Sequence, residues 1–245
     1  MDGNHKEYNH RLSQARIDEI LNQPAGQFDE VEQLPKRDQL TFTNGFYAHC
    51  SAIFVDIRDS SGLTTKYTRP VLAKIYRVFI SEMVAVLNSM QRVREVNIVG
   101  DCVWAVYNTP QKTDIDEVFH VAYTANTLQR LINCRLAKKG YETPLKFGLG
   151  IDYGRALMIK AGYKGSAIND VIYMGDVVNH ASHLAHNAGR RWNDPIWVGE
   201  TFAQNLNGHN QGLLSQSVHS YEVGWYRSGS VIHTGMNAFV DAICD

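Results

Sequence analysis

The sequence predicts an α+β fold with a mixed, mainly antiparallel sheet and flanking helices, and three observations support this. Short runs rich in β-branched residues are interleaved with longer runs whose apolar residues recur at helical spacing. Two strand-like runs are separated only by Gly100 and Asp101, and such a turn between apolar arms predicts an antiparallel hairpin. No apolar run approaches the roughly 20 residues that span a bilayer, so no direct membrane insertion is expected.

The first strand and the first long helix define how the fold begins. Residues 47–57 form a short, mostly apolar run, which predicts a buried strand. The polar segment 58–68 is expected to follow it as a loop. Pro70 suits the first turn of a helix over residues 70–91. The apolar side chains at helical spacing in this helix are Val71, Leu72, Ile75, Val78, Phe79, Met83, Val86 and Leu87.

The remaining elements follow from the same two periodicities. In chain order they are hairpin arms at 93–99 and 102–107, a helix at 114–139, one or two strands at 145–159, a helix at 177–189 that ends at Gly189, a strand at 195–200, and two or three strands between Tyr221 and Val240. From Thr41 the order is therefore strand, helix, strand, strand, helix, strand, helix, strand. The first part of this order matches the ferredoxin-like group of folds.

Residues 1–40 differ from the rest and are expected to form an N-terminal helical arm and linker. Ile17, Ile20 and Leu21 predict one apolar face of a short helix. Residues 24–39 contain two prolines and many charges, which is typical of a linker. The main domain is expected to cover residues 41–245. The arm is compatible with a dimer clasp, a sensor or a poorly ordered segment.

Composition and charge exclude several classes of protein. The 245 residues are 44% hydrophobic and 20% charged, with a net charge of −1. This balance is that of a globular protein without the basic surface that binds DNA. The N-terminus is polar and charged, unlike a signal peptide. The four cysteines lack CxxC spacing and predict buried or free thiols of a cytoplasmic protein: Cys50, Cys102, Cys134 and Cys244.

Asp56 and Asp101 are the first candidate site residues. Asp56 ends a buried strand, and Asp101 occupies the hairpin turn. If the two strands are neighbours, the carboxylates converge at one edge of the sheet, where they repel each other unless a cation lies between them. Mg²⁺ and Mn²⁺ bind carboxylates together with substrate phosphates. The alternative is that Asp56 caps a loop and Asp101 is an ordinary turn residue.

Four segments, in order, resemble the motifs of class III nucleotidyl cyclases, the family of adenylate and guanylate cyclases. Together they cover about residues 46 to 190, and their order and spacing make the resemblance specific. The segments are IFVDIRDSSGLT and VNIVGDCVWAVY, similar to the two metal motifs, GLGIDYGRA, similar to the strand and turn that follow, and YMGDVVNHASHLAH, similar to the helix that carries the transition-state asparagine. The resemblance identifies residues 41–245 as a nucleotidyl cyclase catalytic domain.

The resemblance implies a mechanism and a set of ligands. Two divalent cations, Mn²⁺ or Mg²⁺, would be held by Asp56, Asp101 and the backbone carbonyl of Ile57, and would bind a nucleoside triphosphate. The ribose 3′-hydroxyl would attack the α-phosphorus and expel pyrophosphate. The loop from Arg58 to Gly62 would bind phosphates. Asn179 would orient the ribose, and the family's active site implies a homodimer with sites at the interface.

The residues expected to select the base depart from the purine cyclases. Adenylate cyclases carry lysine and guanylate cyclases carry glutamate where this chain has Asn97, and adenylate cyclases carry aspartate where it has Ile172. Asn97 offers a donor and an acceptor, which suits uracil or cytosine. The pattern resembles the Pycsar pyrimidine cyclases of bacterial anti-phage defence, whose cyclic UMP or cyclic CMP acts on a separate effector. Tyr47 is the candidate for the aromatic that narrows their pocket, and Arg94 for a cation near the base or phosphates.

A second departure concerns the transition state. Many members place arginine four residues after the asparagine, where this chain has His183. Either a protonated His183 supplies the charge or an arginine elsewhere does: Arg155, Arg190 or Arg191. Arg227 is a candidate for the family's triphosphate lysine. The spacing of His180, His183 and His186 turns about 120 degrees round a helix, so the three do not face one metal ion.

The sequence therefore predicts a pyrimidine nucleotide cyclase that converts UTP, or CTP, to the 3′,5′-cyclic monophosphate and pyrophosphate. One alternative is a purine cyclase that recognises its base through backbone groups. The other is a catalytically inactive cyclase-like module that binds nucleotide, which His183 favours. The presence of Asp56, Asp101 and Asn179 together argues against an inactive module. No GGDEF-like turn of a diguanylate cyclase is present.

Overall fold

A computed structural model describes residues 2–24 and 28–244. The predicted linker at 24–39 includes residues 25–27, which lie outside the described residues. The described strands are β1 (Phe28–Glu30), β2 (Gly45–Ile57), β3 (Val93–Val99), β4 (Cys102–Asn108), β5 (Phe147–Tyr163), β6 (Ile168–Met174), β7 (Ile196–Gly199), β8 (Val218–Ser220) and β9 (Gly224–Gly229).

These strands form one sheet in the order β3-β4-β2-β5-β7-β9-β8, with β1 paired to β2 and β6 paired to β5. The β1–β2 and β5–β7 pairs are parallel, and the other pairs between described strands are antiparallel. The predicted mixed, mainly antiparallel sheet is thus confirmed. The hairpin turn is confirmed too, with Gly100 at a φ of +62° between β3 and β4.

The described helices are α1 (His10–Leu21), α2 (Ser60–Lys66), α3 (Arg69–Leu87), α4 (Lys112–Ala137), α5 (Asp176–Asn187), α6 (Glu200–Asn205), α7 (Gly208–Gly212) and α8 (Thr234–Cys244). The long predicted helices are confirmed as α3, α4 and α5. Pro70 lies in the first turn of α3, and Gly189, at a φ of +67°, follows the end of α5.

Several segments differ from the sequence prediction, among them β1, β6, α6 and α7, which were not predicted. The expected loop at 58–68 contains the short helix α2. Two or three strands were expected between Tyr221 and Val240, but residues 234–244 form α8. In this segment Met236, Phe239, Val240 and Ile243 recur at intervals of three, one and three residues, which is the helical period and not the strand period.

Alternating side chains of β2 divide the protein into two layers. Ile53, Val55 and Ile57 join the core beneath helices α3 and α4. Ala48, Cys50 and Ala52 point to the other face, where helix α5 packs. Asp56 follows the second set by alternation and therefore lies on the face that carries α5.

Two glycines of β5 let α5 approach this face closely. A Cβ at Gly150 would overlap the backbone of Ala181 and Ala185, and a Cβ at Gly148 would overlap the carbonyl of Ala188. Any larger residue would therefore push the helix off the sheet. The position of α5 is set by backbone contact with these two glycines.

The N-terminal part contributes to the sheet as well as to the surface. β1 pairs with β2, and Leu34 and Leu40 are buried in the core beside α5. Helix α1 forms as predicted, but its apolar residues Ile17 and Ile20 are exposed. The division of the chain at residue 40 stays a prediction.

The prediction of four thiols is wrong for two of the cysteines. Cys134 of α4 and Cys244 of α8 form a disulfide, whereas Cys50 and Cys102 are free. The bonded pair is separated by 110 residues in the sequence. The two cysteines are brought together by the packing of α8 on α4, and the spacing of cysteines along the sequence does not reveal this packing. Among residues 2–24 and 28–244, no helix has the length and apolar character needed to cross a membrane.

Candidate active site

Asp56 and Asp101 lie side by side at one end of the sheet. Strands β2 and β4 are neighbours, Asp56 pairs with Cys102, and the backbone N–H of Ile57 donates to the carbonyl of Asp101 at 3.4 Å. Burial raises the pKa of Asp56; the guanidinium of Arg58 opposes this rise, and the carboxylate of Asp101 adds to it. The Asp101 carboxylate is therefore close enough to disfavour the charge of Asp56.

The donor set at this edge fits a hard divalent cation that also binds substrate. Two adjacent carboxylates and nearby backbone carbonyls are oxygen donors, which Mg²⁺ and Mn²⁺ prefer. Among the described residues, no group of three or more His, Cys, Asp or Glu side chains could hold a metal ion. A cation held by Asp56, Asp101 and the carbonyl of Ile57 would therefore complete its shell with water and phosphate oxygens.

Arg58 lies between the acids and helix α5. Its Nη1 is 3.0 Å from Oδ2 of Asp56, and its Nη2 donates to the carbonyl of Ala185. Its backbone N–H donates to the carbonyl of Lys146 at 2.7 Å. This N–H is therefore used within the protein, and phosphate binding by the loop from Arg58 to Gly62 stays a prediction. A role of the Arg58 side chain in substrate binding stays a prediction.

Asn179 and His183 lie one turn apart on α5, and both are exposed. His183 borders an open cleft of about 660 Å³ with His186, Tyr221 and Glu222 among its lining residues. Their place on one exposed helical face leaves both side chains available to a ligand. The assignment of Asn179 and His183 as catalytic residues stays a prediction.

His180, on the same helix, is engaged inside the protein. Its Nδ1 lies 2.7 Å from Oδ2 of Asp152 on β5, and its Nε2 lies 2.6 Å from the carbonyl of Val223. The hydrogen bond to Asp152 is the main cause that raises the pKa of His180. His180 therefore joins α5 to the sheet and to the chain before β9, and the sequence pattern did not reveal this role.

The His180 contacts predict a pH-dependent stability. Because the folded pKa is raised, the ion pair stabilises the protein fully below the ordinary histidine value of 6.5 and loses this effect as pH rises through the folded pKa. His180→Gln is expected to lower the free energy of unfolding by on the order of 1 kcal/mol at low pH, and by less at high pH. Urea unfolding across this range measures the difference, with the exposed His10→Gln as control. A difference that grows with pH would contradict the assignment.

Of the predicted base-selecting residues, Arg94 and Asn97 lie on β3 and Ile172 lies on β6. Asn97 pairs with Trp104 across the hairpin, and its Nδ2 is buried without a hydrogen-bond partner. Arg94 donates from Nε to the carbonyl of Pro35 at 2.6 Å. Ile172 is exposed on β6. Of these side chains, Asn97 is the one with an unused buried donor, and such a group requires an explanation.

An aromatic cluster beside Asn97 was not anticipated from the sequence. The rings of Phe54 and Trp104 are stacked with centroids 5.1 Å apart, and Tyr173 meets Trp104 edge-on at 6.3 Å. Burial and the Glu95 carboxylate raise the pKa of the Tyr173 hydroxyl. Phe54 and Trp104 alternate with core residues of their strands, so period-two patterning could have placed them on the α5 face.

The guanidinium of Arg155 stacks on the ring of Tyr47. The Arg155 group is 3.6 Å from its ring centroid, and Glu30, the partner of Tyr47 across β1 and β2, holds Arg155 at 2.5 Å. The contact of Glu30 and the stacking of Arg155 on Tyr47 were not anticipated.

Two other arginines that were candidates for site residues have partners: Arg190 contacts His186, and Arg227 pairs with Glu200. The substitute for the usual transition-state arginine therefore stays open.

Comparison with known proteins identifies the family of this chain. Residues 43–226 match the adenylate and guanylate cyclase catalytic domain, and this chain belongs to that family. A uridylate cyclase of Treponema porcinum is 33% identical over 96% of this chain and 81% of its own length. A uridylate cyclase of Gulbenkiania mobilis is 43% identical over 75% of this chain and 73% of its own length.

Solved structures agree with the fold. A class III adenylyl cyclase-like ATP-binding protein from Pseudomonas aeruginosa has a TM-score of 0.69 at 20% identity, and the match covers 93% of this chain and 48% of that one. The adenylyl cyclase CyaB from P. aeruginosa has a TM-score of 0.62 at 18% identity, covering 75% of this chain and 94% of that one. This chain thus spans about half the length of the first structure.

Proposed function

We propose that this protein is a pyrimidine nucleotide cyclase that converts UTP, or alternatively CTP, to the 3′,5′-cyclic monophosphate and pyrophosphate. The observation that carries this proposal is the adjacency of Asp56 and Asp101 in a chain 43% identical to a uridylate cyclase. The aligned relatives support the uracil base, and the paired carboxylates support triphosphate chemistry.

The residues of the site have distinct roles in this proposal. Asp56, Asp101 and the carbonyl of Ile57 would hold two divalent cations, Mn²⁺ or Mg²⁺, which lower the pKa of the ribose 3′-hydroxyl and neutralise the triphosphate. Asn179 orients the ribose so that the 3′-oxygen faces the α-phosphorus in line with the leaving pyrophosphate. The new 3′-oxygen–phosphorus bond forms as the bond to pyrophosphate breaks. His183, when protonated, offsets charge on the α-phosphate.

The base would be selected by matching hydrogen bonds. The unpartnered Nδ2 of Asn97 donates to a carbonyl of the pyrimidine. Ile172 cannot accept a hydrogen bond from an adenine amino group, and leaving that group unpaired costs about 1–3 kcal/mol. Arg94 would lie near the base or phosphates, although its Nε bond to Pro35 limits how far it can turn.

The assembly follows from the exposed face of α5. Asn179 and His183 point outwards, so we place each active site at the interface of a homodimer, where this face meets the acids of the second subunit. The cyclic product would act on a separate cyclic-nucleotide-responsive effector in bacterial anti-phage defence. The resemblance to the Pycsar cyclases supports this setting, and the enzyme would work in the cytoplasm.

The experiment is a set of four incubations, each with one ribonucleoside triphosphate and Mn²⁺, with product identification by mass spectrometry. Cyclic UMP or cyclic CMP is the expected product. Formation of a cyclic purine alone would support a purine cyclase and contradict the proposal. Triphosphate binding without any product would support the inactive module, which the joint presence of Asp56, Asp101 and Asn179 argues against.

Tyr47 provides a separate prediction about base choice. If its ring, under Arg155, narrows the pocket, Tyr47→Ala should raise turnover of ATP relative to UTP by about tenfold, because removing a pocket wall relaxes steric exclusion. Parallel kcat/KM measurements with both nucleotides check this. Tyr8→Ala is the control, since Tyr8 is 74% exposed on the N-terminal arm. An unchanged ATP to UTP ratio would remove Tyr47 from the pocket.

A further inference from the structure

Arg58 is an internal cation at the acidic edge of the sheet. Its side chain is only 6% exposed, and Asp56 is its ion-pair partner at 3.0 Å. A buried charge is costly unless it is paired and hydrogen-bonded. The position of this guanidinium therefore depends on the negative charge of Asp56.

The second contact of Arg58 reaches a different element. Its Nη2 donates to the carbonyl of Ala185, in the last turn of α5. Carbonyls in a last turn lack partners within their helix and form the negative end of its dipole, which favours a cation. Gly148 leaves room for the contact, because a Cβ there would overlap Nη2 of Arg58.

The acids need such a cation when no metal ion is bound. Asp56 and Asp101 are adjacent, and two carboxylates that are both ionised repel each other. Arg190 and His186, at the end of α5, add positive potential at Asp56, but Arg58 is the group in direct contact.

We propose that Arg58 is a positioning residue that acts as a built-in counter-cation for Asp56 and competes with the divalent cation for that carboxylate. In the metal-free protein it neutralises Asp56 and holds the end of α5 in place. Binding of a divalent cation shifts the charge of Asp56 from the guanidinium to the metal. This inference rests on the proposed function, because it takes Asp56 as a metal ligand.

The test measures Mn²⁺ binding without nucleotide, by the electron paramagnetic resonance signal of free Mn²⁺. In Arg58→Gln the competing positive charge is absent, and the Kd for Mn²⁺ is expected to fall about tenfold. Arg58→Lys keeps the charge but not the paired hydrogen bonds, and its Kd should stay near the wild-type value. Arg130→Gln is the matched control, an exposed arginine of α4 that pairs with Asp241 of α8.

Thermal unfolding provides a second measurement on the same proteins. Because Arg58→Gln removes a cation that Asp56 uses only in the metal-free state, it destabilises mainly that state, and Mn²⁺ should raise its Tm more than it raises the Tm of the wild type. A purely structural arginine would lower both Tm values equally and leave the Mn²⁺-induced rise unchanged. A Kd for Arg58→Gln equal to or weaker than that of the wild type, or an unchanged rise in Tm, would overturn the inference.

Asp56→Asn separates this inference from the proposed function. If Asp56→Asn weakens Mn²⁺ binding and Arg58→Gln does not tighten it, the metal assignment stands and the role of Arg58 is rejected. If Asp56→Asn binds Mn²⁺ as the wild type does, the metal assignment fails and both proposals are rejected.

Discussion

Asp56→Ala is expected to reduce cyclase turnover at least a thousandfold, or about 4 kcal/mol of transition-state stabilisation. Asp56 is the next-to-last residue of β2 and lies beside Asp101, and the change removes half of the carboxylate pair that would hold the cations. Orientation by α5 cannot replace that charge neutralisation. Product formation from UTP with Mn²⁺ is the measurement.

The controls for this variant separate chemistry from folding. Asp56→Ala also leaves the buried Arg58 unpaired, so its circular dichroism spectrum and Tm must be recorded with its activity. Asp241→Ala, an acid in an exposed ion pair with Arg130, should keep full turnover. Substantial activity in a folded Asp56→Ala protein would contradict the metal assignment.

Gly150→Ala is expected to lower the free energy of unfolding by at least about 2 kcal/mol, because overpacking against a backbone cannot be relieved by a rotamer change. The added Cβ would overlap the backbone of Ala181 and Ala185, so α5 must move off the sheet. Activity should fall with stability, since Asn179 and His183 lie on this helix. Urea unfolding and turnover of UTP check the two effects.

A matched glycine provides the control for this change. Gly208 begins α7 and has nothing within 4 Å of its ideal Cβ, so Gly208→Ala should leave stability and turnover close to the wild type. Equal stability of the Gly150→Ala and Gly208→Ala proteins would show that α5 does not depend on close contact with β5.

The sequence predicted the elements whose patterns are local and long. Helices α3 and α4 carry sustained apolar periodicity, and the β3–β4 hairpin has turn residues at its tip. Strand β1 was missed because three exposed residues in a charged segment carry no strand pattern; it forms by pairing with β2. Helix α8 was missed although its apolar residues recur at the helical period, because the tail was interpreted as a series of short strands.

The candidate site likewise has a part that the sequence could predict and a part that it could not. Asp56 and Asp101 could be placed together because Asp56 lies at the end of a recognisable strand and Asp101 in a recognisable hairpin turn. The buried pairing of Arg58 could not, because it depends on Ala185 and Gly148, which adjoin Arg58 only in the folded chain. The contact of His180 with Asp152 is likewise non-local. Contacts between residues that are far apart in the chain leave no periodic pattern in the sequence.

The most direct test of the proposed function is a competition among all four nucleotides. The protein, with Mn²⁺, receives ATP, GTP, CTP and UTP at equal concentration, and the cyclic products are quantified by mass spectrometry. Because the ratio of products equals the ratio of kcat/KM values, it reports base selection directly. Cyclic UMP is predicted to dominate, with cyclic CMP the next product and no product from Asp56→Ala. A mixture dominated by cyclic AMP or cyclic GMP would contradict the proposal.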